Sequence, residues 1–196
     1  MAQQPPVRIA ASVLLSAVAL SQLVGCASPS EEQSRHPAVA STVNRVGLLV
    51  DAPTSYNPCT DVPDSLLKSE RMVKGIADNR ANAEGPDGVK WRGCRWVVPG
   101  GYAVAIQTTN MTLPHVRKTW YFQGREVTIG GRPAVMARRN EDRPRQVCSI
   151  NVEIHGGSLE FHFDNPPSNR DTGHIDTCEL GLALAEKVVP TLPAGA

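Results

Sequence analysis

The chain has 196 residues, 41% of them hydrophobic and 5% aromatic, with 20 Lys and Arg against 19 Asp and Glu. That length supports one domain with a real core. A formal net charge of +1 gives no basic excess, which argues against a nucleic-acid partner.

The N-terminus reads as an export signal. Arg8 precedes an apolar run over residues 9–24 whose only polar members are Ser and Gln. A membrane-spanning helix needs about 20 apolar residues, so this run is too short to span. It closes on Leu23-Val24-Gly25-Cys26, which has the form of a bacterial lipobox. The expectation is a lipoprotein signal over residues 1–25, removed so that Cys26 carries a diacylglyceryl group. Two acyl chains give stable anchoring. The domain would then sit on the outer face of the plasma membrane. Residues 26–44 are rich in Ser, Pro and charge without an apolar period, and are expected to form a flexible tether. Residues 45–196 are expected to form a single domain.

That domain opens with a short apolar run at 46–50. Asn57-Pro58-Cys59 predicts a turn. Residues 63–75 predict a short helix capped by Asp64 and ended by Gly75. Residues 78–90 form a polar loop. In residues 94–109, Pro99-Gly100-Gly101 marks a hairpin turn pairing Val98 with Tyr102, Trp96 with Val104 and Cys94 with Ile106. Residues 113–122 predict a helix with Pro114 in its first turn. Residues 127–138 predict a strand pair bent at Gly130-Gly131.

In residues 146–165 a Gly156-Gly157 turn would pair Ile154 with Leu159, Val152 with Phe161 and Ile150 with Phe163, all on one face. Ser149, Asn151, Glu153, His155, Glu160 and His162 are left on the other. A helix over residues 176–189 has an apolar stripe of Cys178, Leu182, Ala185 and Val189. The order is helix, hairpin, helix, hairpin, hairpin, helix. It predicts an α+β fold, an antiparallel sheet of hairpins with helices packed on one face.

Cys59, Cys94, Cys148 and Cys178 form an even set with no C-x-x-C, and outside the cytosol they read as two structural disulfides. The strand and helix faces favour Cys59–Cys94 with Cys148–Cys178. A Cys94–Cys148 bond stays open if their strands are neighbours.

The lipobox, Asn57-Pro58-Cys59, Gly93-Cys94-Arg95-Trp96, Ile129-Gly130-Gly131-Arg132-Pro133-Ala134, the strand with Cys148 and the last helix with Cys178 together resemble a family of actinobacterial lipoproteins. Their four-cysteine domain has no assigned function. The resemblance covers about residues 56–192. It implies an envelope lipoprotein and carries over no catalytic residue.

Candidate chemistry is thin. Glu153, Glu160 and His162, with His155 nearby, are the residue types that bind metals, but alternation alone sends them outward to solvent. Arg132, Arg138, Arg139, Arg143 and Arg145 could meet anionic lipid or wall polymer, though Glu141 and Asp142 interrupt them. Trp91, Trp96, Trp120, Tyr121 and Phe122 could line a groove or fill the core. His115 has no evident partner. G-x-S-x-G, H-E-x-x-H and P-loop motifs are missing. No catalytic residue, metal ligand or cofactor is assigned. The expectation is a secreted, membrane-anchored binding or interaction module whose partner is an envelope protein, lipid or wall component. An extracytoplasmic hydrolase using Glu153, Glu160 and His162, or a carrier of an apolar ligand, is the alternative.

Overall fold

The structure, a computed structural model, describes residues 43–44, 46–75, 79–119, 122–138 and 143–196. The lipobox with Cys26 and most of the tether lie outside these residues, as do Trp120, Tyr121, Arg139, Glu141 and Asp142.

The elements run α1 (Pro58–Asp61), α2 (Asp64–Ser69), β1 (Val73–Lys74), β2 (Ala83–Glu84), β3 (Lys90–Val97), β4 (Ala103–Thr109), α3 (Leu113–Thr119), β5 (Phe122–Ile129), β6 (Arg132–Arg138), β7 (Val147–Ile154), β8 (Gly157–Asp164) and α4 (Thr177–Val188). They build one antiparallel sheet in the order β1-β3-β4-β8-β7-β6-β5, with the short β2 also on β3. The α+β class and the hairpin sheet stand as the sequence predicts.

The β3–β4 hairpin keeps the predicted register. Trp96 pairs with Val104 and Cys94 with Ile106, and Val98 N–H donates to Tyr102 O at 2.9 Å. Gly130 and Gly131 take φ of +58° and +79°, the two left-handed residues of a tight hairpin turn between β5 and β6. Phe122 is a correction: it opens β5 and does not close α3.

The β7–β8 hairpin differs from the predicted register by two residues. Ile154 pairs with Gly157, Val152 with Leu159 and Ile150 with Phe161, so the turn is His155-Gly156. Gly157 is spent on the strand because a Cβ there would lie 2.0 Å from Thr109 O of β4. A shift of two leaves every side chain on its predicted face.

One face of the sheet carries Cys94, Trp96, Val104, Ile106, Ile150, Phe161 and Phe163, packed against Leu184, Ala185 and Val188 of α4. Fully burying each large apolar side chain contributes about 1.5–3 kcal/mol. The buried stripe of α4 centres on Cys178, Gly181, Leu184, Ala185 and Val188, so Leu182 lies at its flank. Gly181 brings the helix close: a Cβ there would lie 3.1 Å from the Phe163 ring. Leu66 and Leu67 of α2 pack against the same core. The predicted helix over 63–75 stops at Ser69, with Pro63 as its N-cap and Asp64 already helical. Arg71 turns left-handed at φ +55°, and Met72 N–H returns to Leu67 O at 2.8 Å, a Schellman closure that sends Met72 inward.

The second face is covered as well, which corrects the expectation of a solvated surface. Leu113 and Val116 of α3 join Leu48, Val89, Trp91, Met111 and Val135 in a separate apolar cluster. Beneath it Ser149, Asn151, Ser158 and Glu160 are buried. Of the six residues predicted outward, Glu153 and the turn residue His155 are exposed and His162 is half-buried.

Two disulfides close the domain. Cys59 of α1 joins Cys94 of β3, and Cys148 of β7 joins Cys178 of α4, with Cα–Cα distances of 5.1 and 5.3 Å. Both lie within the range a disulfide needs. Cys94 and Cys148 share a face, but β8 runs between β4 and β7, so they do not meet.

Candidate functional site

The trio Glu153, Glu160 and His162 does not converge. Glu160 lies opposite Asn151, His162 opposite Ser149 and Glu153 opposite Ser158. Glu160 is 1% exposed, and its Oε2 accepts the Trp91 indole N–H at 2.5 Å. Asn151 Nδ2 donates to Ser158 Oγ at 3.0 Å, and Ser158 Oγ donates to Met111 O at 2.8 Å. Ser149 Oγ and His162 Nδ1 share a hydrogen bond of 2.9 Å. These groups satisfy one another beneath α3, as buried polar groups must. Among the described residues no three His, Cys, Asp or Glu side chains gather in a way that could hold a metal ion.

Among the described residues, two arginines of the stretch are engaged within the fold. Arg132 Nη1 donates to Ala196 O at 2.5 Å, and Arg138 pairs with Asp176, the N-cap of α4, at 2.7 Å. Both arginines tie the last helix and its tail to the sheet. Arg143 and Arg145 are exposed, and Arg139 lies outside the described residues. Trp91 and Trp96 are core residues, leaving no aromatic groove between them. His115 Nε2 is buried without a hydrogen-bond partner, and that burial pushes its pKa below the usual imidazole value.

The site that sequence reading missed is a groove of about 600 Å³ beside the Cys59–Cys94 bond. One wall is the turn into α1. Asn57 caps that helix by accepting Cys59 N–H on Oδ1 at 3.1 Å, with Pro58 preorganised at its first position. The opposite wall is the segment 79–82, which lies along β3: Arg95 N–H donates to Asn79 O at 2.7 Å and Ala81 N–H to Gly93 O at 2.8 Å. Asn82 Oδ1 takes Gly93 N–H at 3.1 Å. Arg92 is steadied at the edge by Glu84 at 3.2 Å and Asp51 at 3.3 Å. Its guanidinium, with Lys90, holds the Glu84 carboxyl below the usual carboxylate range. Tyr56 lies behind, its hydroxyl 3.3 Å from Thr191 Oγ1, and burial raises its phenol pKa. The signal in the chain was the Asn-rich loop at 78–90 close before Cys94.

A family model described as "Protein of unknown function (DUF3558)" matches residues 21–191. The chain belongs to this DUF3558 family. The shared segment includes Leu23-Val24-Gly25-Cys26 and all four domain cysteines. No curated protein matches the chain, and neither does any solved structure.

Proposed function

We propose that the chain is an envelope lipoprotein of the actinobacterial type. In this reading a diacylglyceryl group on Cys26 holds it to the outer face of the plasma membrane, and its domain serves as a non-catalytic binding module. The observation that carries the reading is the lipobox lying inside the family segment, ahead of a domain closed by two disulfides. Such bonds persist outside the reducing cytosol. A core filled by Ile106, Phe161 and Phe163 supports binding at the surface over carriage of an apolar ligand inside. The dispersal of Glu153, Glu160 and His162 supports binding over hydrolysis.

Mass spectrometry of the protein from native membranes tests the anchor. A diacylglyceryl mass on Cys26 is expected, with Cys26→Ala protein unlipidated and either released or unprocessed. Wild-type protein in the medium without acyl mass overturns the reading.

A further inference from the structure

We infer that the groove beside the Cys59–Cys94 bond receives an oxyanion, the carboxylate or phosphate of a small ligand. The inference rests on the reading of the domain as a binding module and gives that module its ligand class.

Uncommitted N–H donors line the groove, and they face no carboxylate among its described lining residues, only the amide oxygen of Asn79. Asn57 and Asn82 have each committed the side-chain oxygen to a backbone N–H, of Cys59 and of Gly93 respectively. What each has left to offer is its amide NH2, and no acceptor among the described residues takes either one. Lys74 lines the same groove, exposed and without an ion pair among the described residues. Arg92 and Arg80 also line the wall, but Arg92 is already held by Glu84 and Asp51, so the charge left to a ligand is that of Lys74. No Asp or Glu is among the described lining residues. The carboxylate of the nearby Asp61 is engaged, its Oδ2 accepting Asn57 N–H and its Oδ1 the Thr60 hydroxyl, both at 2.8 Å.

A site that offers N–H groups and positive charge favours a ligand that brings acceptors and negative charge. Charge-assisted bonds of this kind are roughly twice as strong as neutral ones. The volume falls within the range of roughly 300–1,000 Å³ typical of small-molecule sites.

Asparagine to aspartate is the discriminating change. In Asn82→Asp the new carboxylate would still accept Gly93 N–H, and in Asn57→Asp it would still cap α1. The local fold is kept while each free donor becomes an acceptor. The full lipidated chain, reconstituted in phosphatidylcholine vesicles, is titrated with glucuronate and glycerol 3-phosphate, and with glucose and glycerol as neutral controls. Saturable binding of at least one anion, with the neutral probes at least about tenfold weaker, is expected. Glucuronate preferred over glycerol 3-phosphate assigns a carboxylate source, and the reverse a phosphate one.

Asn57→Asp/Asn82→Asp should weaken that binding by about tenfold or more, equal to about 1.4 kcal/mol, with an unchanged unfolding midpoint. Lys74→Gln, an exposed change, should weaken it in the same direction and serves if the double variant does not fold. Equal binding of neutral probes, binding of no anion, or anion binding untouched by the variants overturns the inference. The lipid-anchor reading survives each of those results, because it is measured on Cys26.

Discussion

Trp91 of β3 and Glu160 of β8 meet inside the protein, the indole N–H donating to the carboxyl at 2.5 Å, although β4 separates their strands. The contact reaches across β4 on the face that α3 covers, and it gives the Glu160 carboxyl a partner among the buried polar groups of that face. Trp91→Phe keeps an aromatic ring and removes the donor. It should destabilise by about 1–3 kcal/mol, the cost of depriving a buried group of a hydrogen bond. Urea denaturation of Trp91→Phe, Glu160→Gln and the double variant should give a double-variant loss smaller than the sum of the singles.

Phe161 and His162 are neighbours with opposite surroundings. Phe161→Ala removes a fully buried ring and should cost about 3–5 kcal/mol. His162→Ala should cost about 1 kcal/mol, because it takes the hydrogen bond from the buried Ser149 hydroxyl. Equal losses in a denaturation series would contradict the faces assigned to these residues.

Two glycines should respond differently to the same methyl group. At Gly131 nothing lies within 4 Å of an added Cβ, and the only strain is the left-handed backbone at φ +79°. Gly131→Ala should therefore cost about 1–2 kcal/mol. At Gly157 the Cβ meets the backbone of β4 at 2.0 Å, and the β4–β8 pair must part to admit it. Gly157→Ala should cost about 3 kcal/mol or more. Thermal unfolding of the two variants side by side makes the comparison.

The two disulfides enclose sequence separations of 35 and 30 residues, so the loop-entropy model gives each about 4 kcal/mol. Replacing Cys59 and Cys94 by Ala should lose about that much. The Cys148–Cys178 pair should cost more, since both residues are buried while Cys59 is exposed. Non-reducing peptide maps should contain the Cys59–Cys94 and Cys148–Cys178 peptides. A Cys94–Cys148 peptide would contradict the strand order.

Alkali should act through Tyr102, which packs at 5.4 Å from Phe163 and whose pKa is pushed up from 10.0 to about 12, chiefly by burial and further by Glu70. The folded state favours the neutral phenol, so its contribution is complete below pH 10.0 and is lost as pH rises through about 12. Tyr102→Phe has no phenol to ionise and should unfold at a higher pH than the wild type, as circular dichroism would follow.

The β3–β4 hairpin was legible because Pro99-Gly100-Gly101 is the turn and the alternation around it is undisturbed. In the β7–β8 hairpin two adjacent glycines competed for the turn, and only the closeness of Thr109 O reveals that Gly157 belongs to the strand. Inward residues were assigned correctly despite that shift, since two residues restore the face. The outward set was misread for another reason. Period-two alternation separates the faces of a sheet but cannot register that residues 113–119 fold back over the polar one. The groove was invisible because Asn57, Lys74, Asn82 and Arg92 are brought together only by the first disulfide and by the pairing of residues 79–82 along β3.

The place of β8 between β4 and β7 has a consequence for the timing of assembly. A chain that emerges N-terminus first can form the β3–β4 hairpin and the Cys59–Cys94 bond early. The edge of β4 then stays open until residues 157–164 arrive, and β7 waits for the same strand. The two halves of the sheet are joined by the last strand to appear, and the Cys148–Cys178 bond must wait for the helix after it. Folding is therefore governed by long-range contacts and is completed late, as is usual for sheets of high contact order. Until then the sheet exists only as two separate halves, each with one edge held open for the same strand.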